Sequence, residues 1–166
     1  LKAGVYTIVL QWEDSIYSLG QLSGAANDLD IYLLDKNGNL LFGFNRDNNG
    51  EDPIELLPFV VNGNIDANLL ILRRSGSAPV RFKYIVFRGD LTINEHEQGT
   101  STCVGQANAT GAMAVGSVLY SNTPRYGNPS PTVSSFSSRG GTLIDGVDRQ
   151  KPDFSAPNGV NTTVYM

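Results

Sequence analysis

The chain has 166 residues, enough for one domain plus part of another, and carries a formal net charge of −4. This balance excludes a basic surface for nucleic acid, and no apolar run approaches the roughly 20 residues of a membrane-spanning helix. Eighteen glycines and eight prolines favour short strands with frequent turns, and a single cysteine excludes an internal disulfide.

Charge is distributed unevenly along the chain. Residues 1–100 contain eight Lys and Arg against thirteen Asp and Glu, whereas residues 101–166 contain four against three. Such a shift in composition is typical of a domain boundary. We therefore predict one domain over residues 1–99 and a second segment over residues 100–166.

The first domain is predicted to consist of strands and turns. Apolar residues alternate with other residues in two early stretches, which is the period-two pattern of a β-strand. Asn37-Gly38 favours a type I′ hairpin turn, followed by a returning strand over residues 40–44. Further strands are predicted over residues 53–61, 67–73 and 80–87, so the pattern indicates an antiparallel β-sandwich. The alternating residues are Tyr6, Ile8, Leu10 and Trp12, then Leu29, Ile31 and Leu33.

Acidic residues in the second predicted strand are candidate metal ligands. Asp28 and Asp30 lie on the same face, because side chains in a strand repeat every two residues, and Asp35 follows at its end. Since Ca²⁺ takes six to eight oxygen ligands, we consider these three residues, together with oxygens from neighbouring loops, as a possible calcium site. The loop residues are Asn37, Asn39, Asp47, Asn48 and Asp52. The alternative is that Asp and Asn simply form turns here, because the sequence contains no complete EF-hand loop.

Other residues invite a functional interpretation, and each also has a structural one. His96, the only histidine, is interpreted as an exposed linker residue and Cys103 as a small buried apolar residue. The serines at 134, 135, 137 and 138 lie in no nucleophile motif and are predicted to form a turn. An aromatic platform for sugar is an alternative to core packing for Trp12 and for Tyr6, Tyr17, Tyr32 and Tyr84.

The C-terminal part resembles the subtilisin-like serine proteases. Val-Ser-Ser-Phe-Ser-Ser-Arg-Gly at 133–140 is similar to the serine-rich turn of that family, and Lys-Pro-Asp-Phe-Ser-Ala-Pro-Asn-Gly-Val at 151–160 to the segment before its nucleophile helix. Ala-Met-Ala-Val-Gly-Ser-Val at 112–118 is similar to a strand that follows the family's oxyanion asparagine. The resemblance covers residues 101–166 and implies an incomplete segment of an α/β catalytic domain.

This resemblance implies that the chemistry lies outside the chain. The family's Asp, His and Asn motifs come before such a segment and its Gly-Thr-Ser motif after it, so no residue here is assigned a catalytic or cofactor-binding role. Asp153, Ala156, Pro157 and Gly159 would support the active-site wall. We also expect the parallel strands at 112–119 and 153–156 to lack their upstream partners, which makes pairing between two copies of the chain possible.

The first domain resembles the pre-peptidase C-terminal domains, jelly-roll-like sandwiches attached to secreted proteases, in its Asp-Leu-Asp-x-Tyr-Leu phrase at 28–33. The resemblances together imply a non-catalytic part of a secreted endopeptidase that hydrolyses polypeptides through its parent. The sandwich would then modulate substrate access or recognition. The alternative is a carbohydrate- or protein-binding module in a catalytically inactive parent.

Overall fold

The computed structural model describes residues 1–77, 79–96, 99–144, 146–161 and 163, and this part of the chain is mainly β-structure, as predicted. The chain divides into two compact units, Leu1–His96 and Glu97–Met166. The division lies three residues before the boundary that composition predicts. No helix in the described ranges is long and apolar enough to cross a membrane.

The first unit contains two antiparallel sheets of three strands each. One sheet has the order β4-β1-β6, formed by Ile54–Val61, Gly4–Trp12 and Phe82–Arg88. The other has the order β3-β2-β5, formed by Leu40–Phe44, Asp28–Asp35 and Ala67–Ser75. β1 and β2, which carry the clearest alternation in the sequence, are the central strands.

The core of the first unit lies between these sheets. Alternate residues of β1, β2 and β4 turn inward and are almost completely buried, which is the expected consequence of period-two patterning. The Tyr6 ring stacks on Phe59 of the neighbouring strand with 5.0 Å between centroids, a contact that stabilises by about 1 kcal/mol beyond burial alone. The cluster comprises Tyr6, Ile8, Leu10, Trp12, Leu29, Ile31, Leu33, Leu57, Phe59 and Val61.

The turn between β2 and β3 differs from the type I′ turn that Asn37-Gly38 predicts. Gly38 has a positive φ of 85°, but Asn37 does not, so only one of the two central residues takes the required conformation. The Gly38 amide donates to the Asp35 carbonyl at 3.0 Å, and Asp35 pairs with Asn39 through its own amide. The turn is therefore a three-residue loop in which Asp35 accepts the amides of Asn37 and Asn39. The side chain of Asp35 selects this turn by capping it.

The described residues of the second unit form four short strands and three 3₁₀ turns. β7, Val115–Leu119, pairs in parallel with β10, Phe154–Asn158, while β8, Thr142–Ile144, pairs antiparallel with β9, Val147–Arg149. β7 and β10 are therefore partners of each other, while the expected absence of upstream partners and the pairing between two copies stay predictions. The described residues of this unit include no α-helix. The 3₁₀ turns are Gly105–Asn108, Tyr120–Asn122 and Pro124–Tyr126; the first unit has one, Tyr17–Leu19.

Candidate cation site

The central strand β2 buries two carboxylates that alternate along the chain with its core residues. Asp28 and Asp30 alternate with Leu29 and Ile31, which belong to the hydrophobic core, yet they are only 3% and 1% exposed. Carboxylates are almost never buried to this degree unless they are paired or bind a cation. This strand therefore presents a feature that packing alone does not explain.

A third carboxylate comes from the other sheet. Glu55 is the second residue of β4 and lies in phase with Leu57 and Phe59, so it occupies an inward position and is completely buried. One carboxylate oxygen from each of Asp28, Asp30 and Glu55 lies within 4.8 Å of the others. The cluster thus joins the two sheets of the first unit through side chains of like charge.

The hydrogen bonds around the cluster leave several oxygens without donors. Asp28 Oδ1 accepts the Asn48 amide at 3.2 Å, and Asp30 Oδ2 accepts the Tyr32 hydroxyl at 2.8 Å. Asp30 Oδ1 and both oxygens of Glu55 are buried and find no hydrogen-bond donor in the described part of the chain. A buried carboxylate in this state costs several kcal/mol, whereas a bound cation would satisfy it.

The clearest pKa shift in the cluster is that of Glu55. Burial, and to a lesser degree the neighbouring Asp30 and Asp28 charges, raise the pKa of its carboxyl from 4.5 to about 7. The Arg46 backbone amide, which forms no hydrogen bond of normal geometry with Glu55, and the Arg46 charge lower this pKa but do not offset the burial. Burial also raises the pKa of Asp28, against the hydrogen bond from Asn48. The Glu55 carboxyl therefore begins to lose its proton only near neutral pH, unless a bound cation replaces the proton earlier.

Tyr32 fixes the orientation of Asp30. Its ring covers Gly43 of the adjacent strand, where a Cβ would lie 2.5 Å from the Tyr32 Cδ1 atom. The ring therefore requires glycine at that position. Because the hydroxyl occupies Asp30 Oδ2, the free oxygen Oδ1 is the one available to a cation. Such hydrogen bonds from outside the ligand set commonly orient metal ligands.

The structure brings together two of the three predicted calcium ligands. Asp35 lies at the opposite end of β2, where it caps the hairpin turn and is not part of the cluster. Glu55 was not among the predicted ligands, although its alternation with Leu57, Phe59 and Val61 indicates that its side chain is buried. Of the loop residues considered as further oxygen donors, Asn48 lies against the cluster, where its backbone amide donates to Asp28.

The residues predicted to support an active-site wall lie in and around β10. Asp153 Oδ2 accepts the Ala114 amide at 2.7 Å and pairs with the buried Lys151 ammonium at 2.9 Å, contacts that hold its pKa below the ordinary value. Lys151 also donates to the Ala112 carbonyl at 2.6 Å, so this pair joins the segments that lead into β7 and β10. Ala156 and Pro157 lie within β10 opposite Ser117 and Val118, and Gly159 follows with a φ of 73°.

Three other candidates take the structural roles that the sequence favours. His96 is exposed, and Cys103 is 3% exposed. The serine-rich stretch forms a turn in which the Ser137 amide donates to the Ser134 carbonyl at 2.9 Å. The Ser137 hydroxyl accepts the Ser117 amide at 3.1 Å, which ties this turn to β7.

The aromatic residues do not form one exposed platform. Tyr6 and Trp12 are buried in the core, with the Trp12 indole donating to the Asn27 carbonyl at 3.1 Å. Tyr17 is 53% exposed, whereas Tyr32 and Tyr84 are half-buried. The acidic cluster is accordingly the arrangement in the first unit with the clearest chemical meaning.

Comparisons of the chain with protein-family models, curated proteins and solved structures returned no match.

Proposed function

We propose that the first unit binds a structural Ca²⁺ ion at Asp28, Asp30 and Glu55, within a non-catalytic part of a secreted subtilisin-like endopeptidase. The observation that carries the first half of this proposal is the set of buried carboxylate oxygens without donors. The second half is supported by the motifs at 112–118, 133–140 and 151–160.

Oxygen donors and a charge of −3 favour a hard divalent cation. Ca²⁺ binds carboxylate and amide oxygens in flexible geometry, whereas zinc sites are built largely from Cys and His. The three residues of the cluster offer only carboxylate oxygens. Millimolar calcium outside cells is sufficient for sites of modest affinity, which fits the proposed secretion.

The ion would link the two sheets. Asp28 and Asp30 belong to β2 and Glu55 to β4, so one cation would replace repulsion between the layers with shared coordination. An ion that binds only the folded state at a hundred times its Kd adds about 2.7 kcal/mol to the free energy of unfolding. That is a large fraction of the stability of a unit of this size.

The strands of the second unit support the proposal that the chain is part of a protease. β7 and β10 coincide with the two motif segments and run in parallel, and a parallel pair needs a long crossover connection such as the 34 residues numbered 120–153. The parent would hydrolyse peptide bonds with a Ser, His and Asp from outside this chain, and the chain alone would be inactive. The sandwich would modulate substrate access or recognition.

A second candidate function is a binding module in an inactive parent. It is supported by the outer face of the β4-β1-β6 sheet, where Val5 pairs with Val60 and both are about half exposed. Leu56 and Phe87 are also exposed. An apolar outer face is typical of a surface that contacts protein.

Calcium binding is tested by titrating chelator-treated protein and following thermal unfolding by tryptophan fluorescence. Trp12 is the only tryptophan and is 4% exposed, so its emission reports the first unit. We expect Ca²⁺ to raise the Tm of wild type and to have little effect on Asp30→Asn. The exposed Asp66→Asn variant, which loses the same charge, should respond like wild type. An equal response of all three proteins to Ca²⁺ would refute the site.

The protease proposal needs a separate test. A fluorophosphonate probe, which labels activated serines, should label the full-length parent and leave this chain unlabelled. Labelling of the chain itself would mean that one of its serines is a nucleophile. A parent that stays unlabelled and does not degrade casein would favour the binding module.

A further inference from the structure

We propose that the side-chain oxygen of Asn48 is a fourth, neutral ligand of the cation, and that the loop between β3 and β4 closes the site through this residue. This inference rests on the proposed cation site. Asn48 is 1% exposed although it lies in a connecting loop, and its Oδ1 atom is buried with no hydrogen-bond donor in the described part of the chain. Loop residues are rarely buried this completely without a structural or binding role.

Asn48 lies between the two parts of the cluster. Its backbone amide donates to Asp28 Oδ1 at 3.2 Å, which places the residue against β2. Its side-chain amide donates to the Ile54 carbonyl at 3.2 Å, directly before Glu55 in β4. The residue therefore contacts both sides of the cluster.

The orientation of the side-chain amide follows from its partners. Nδ2 donates to the carbonyls of Asp52, at 2.8 Å, and Ile54, so both of its hydrogens are used. A flipped amide would place an oxygen against two carbonyl oxygens and is excluded by repulsion. Oδ1 consequently points away from these carbonyls, and a cation held by the adjacent carboxylates would satisfy it.

The same loop is fixed on its far side without a cation. Gly50 donates to the Ala25 carbonyl at 2.9 Å, and Ala25 donates to the Glu51 carbonyl at 2.8 Å. A side chain at Gly24 would collide with the Gly50 backbone, so the two segments are in close contact. This attachment holds Asn48 in position before the ion binds, which lowers the entropic cost of closing the site.

Asn49 provides a matched control in the next position. Its side chain donates to Asp47 Oδ1 and Ser75 Oγ, and the residue is exposed. Asn49→Ala therefore removes an amide from the same loop without touching the cluster. Asn48→Ala removes the proposed ligand together with its two hydrogen bonds.

The test uses Tb³⁺ alone as the probe on the full chain, since its luminescence lifetimes in H₂O and D₂O count the water molecules bound to the ion. We expect Asn48→Ala to bind Tb³⁺ at least about tenfold more weakly and with one additional bound water. Asn49→Ala should match wild type in both. A purely structural role for Asn48 could weaken binding but would leave the number of bound waters unchanged, and that result would overturn the inference.

Further outcomes separate this inference from the site itself. If Asn48→Ala fails to fold or to bind Tb³⁺, then Asn48→Asp, which keeps an oxygen at the position, should regain binding; no binding there would overturn the inference. If Asn48→Ala equals wild type while Asp30→Asn binds no Tb³⁺, the carboxylate site stands without Asn48. If wild type binds neither Tb³⁺ nor Ca²⁺, both proposals fail.

Discussion

Replacing Glu55 with Gln should have opposite effects on stability with and without calcium. Without calcium, the substitution removes one of three carboxylates whose nearest oxygens lie within 4.8 Å of one another. At that distance and an effective dielectric constant of 20, each pair of ionised carboxylates repels by about 3.5 kcal/mol. Glu55 takes part in two such pairs, so full ionisation would cost about 7 kcal/mol.

Protonation limits this cost. At pH 8, above both the ordinary pKa of 4.5 and the folded-state pKa of about 7, the shift costs about 3.4 kcal/mol, which is less than the repulsion of full ionisation. The Gln amide of the variant is itself buried with incomplete hydrogen bonding, at a cost of about 1 to 3 kcal/mol. We expect a net gain of about 1.5 kcal/mol for chelated Glu55→Gln, which raises Tm by about 6 to 12 °C for a unit of this size.

With saturating calcium the order should reverse. Wild type gains about 2.7 kcal/mol at a hundred times its Kd, whereas the variant has lost a ligand and gains little. Thermal unfolding at pH 8 followed by Trp12 fluorescence, in chelator and in calcium, measures both differences, with Asp66→Asn as the control for charge. A variant that is less stable than wild type in chelator would show that Glu55 already has a partner, and the reasoning from repulsion would fail.

Three further predictions concern pH and the individual contacts of the two units. The folded-state pKa of Glu55 is raised to about 7, so its contribution to stability is complete below about pH 4.5 and is lost as pH rises through 7. Without calcium, the Tm of the first unit should therefore fall between pH 4.5 and 7. Calcium should make the Tm less dependent on pH over this range. Tyr6→Phe should lower the free energy of unfolding by about 1 to 2 kcal/mol in urea titrations, since the hydroxyl contacts the carbonyls of Lys2 at 2.7 Å and Asp90 at 2.5 Å; no change would mean that water replaces these contacts. Lys151→Met should make Cys103, the only cysteine, react about tenfold faster with a thiol reagent. The reason is that the buried Lys151 ammonium joins the segments leading into β7 and β10. An unchanged reaction rate would show that the two strands pair without this ammonium.

The sequence predicts the strands of the first unit well because each buries one face. Alternation over Tyr6, Ile8, Leu10 and Trp12 requires only that one side of a strand is apolar, and every one of these residues lies in the core. The hairpin turn was predicted less well, since Asn37-Gly38 suits a two-residue turn, while capping by Asp35 stabilises a three-residue one. Local patterns record which face is buried, but competition between turns depends on side-chain contacts.

The candidate site shows a further limit of local reasoning. Asp28 and Asp30 could be found because both lie in one strand, but Glu55 is 25 residues away from Asp30 and joins them only when β4 and β2 enter the same sandwich. Pairing within the second unit has the same character, since β7 and β10 meet across a long connection. Contacts between distant segments are decided by topology, which period-two patterning does not encode.

The acidic cluster affects the stability of the first unit in a way that the rest of its core does not. In the first unit the apolar core is well formed, so a site that brings three carboxylates together there lowers the stability of the metal-free state without being needed for the fold. Such a set of carboxylates is consistent with a working state that binds a cation, because replacing it with apolar residues would otherwise be neutral or stabilising. If calcium binds as proposed, the resistance of the first unit to unfolding and proteolysis depends on the calcium concentration around the protein. The chelator experiments on Glu55→Gln measure that dependence directly, since the variant should keep its stability where wild type loses it.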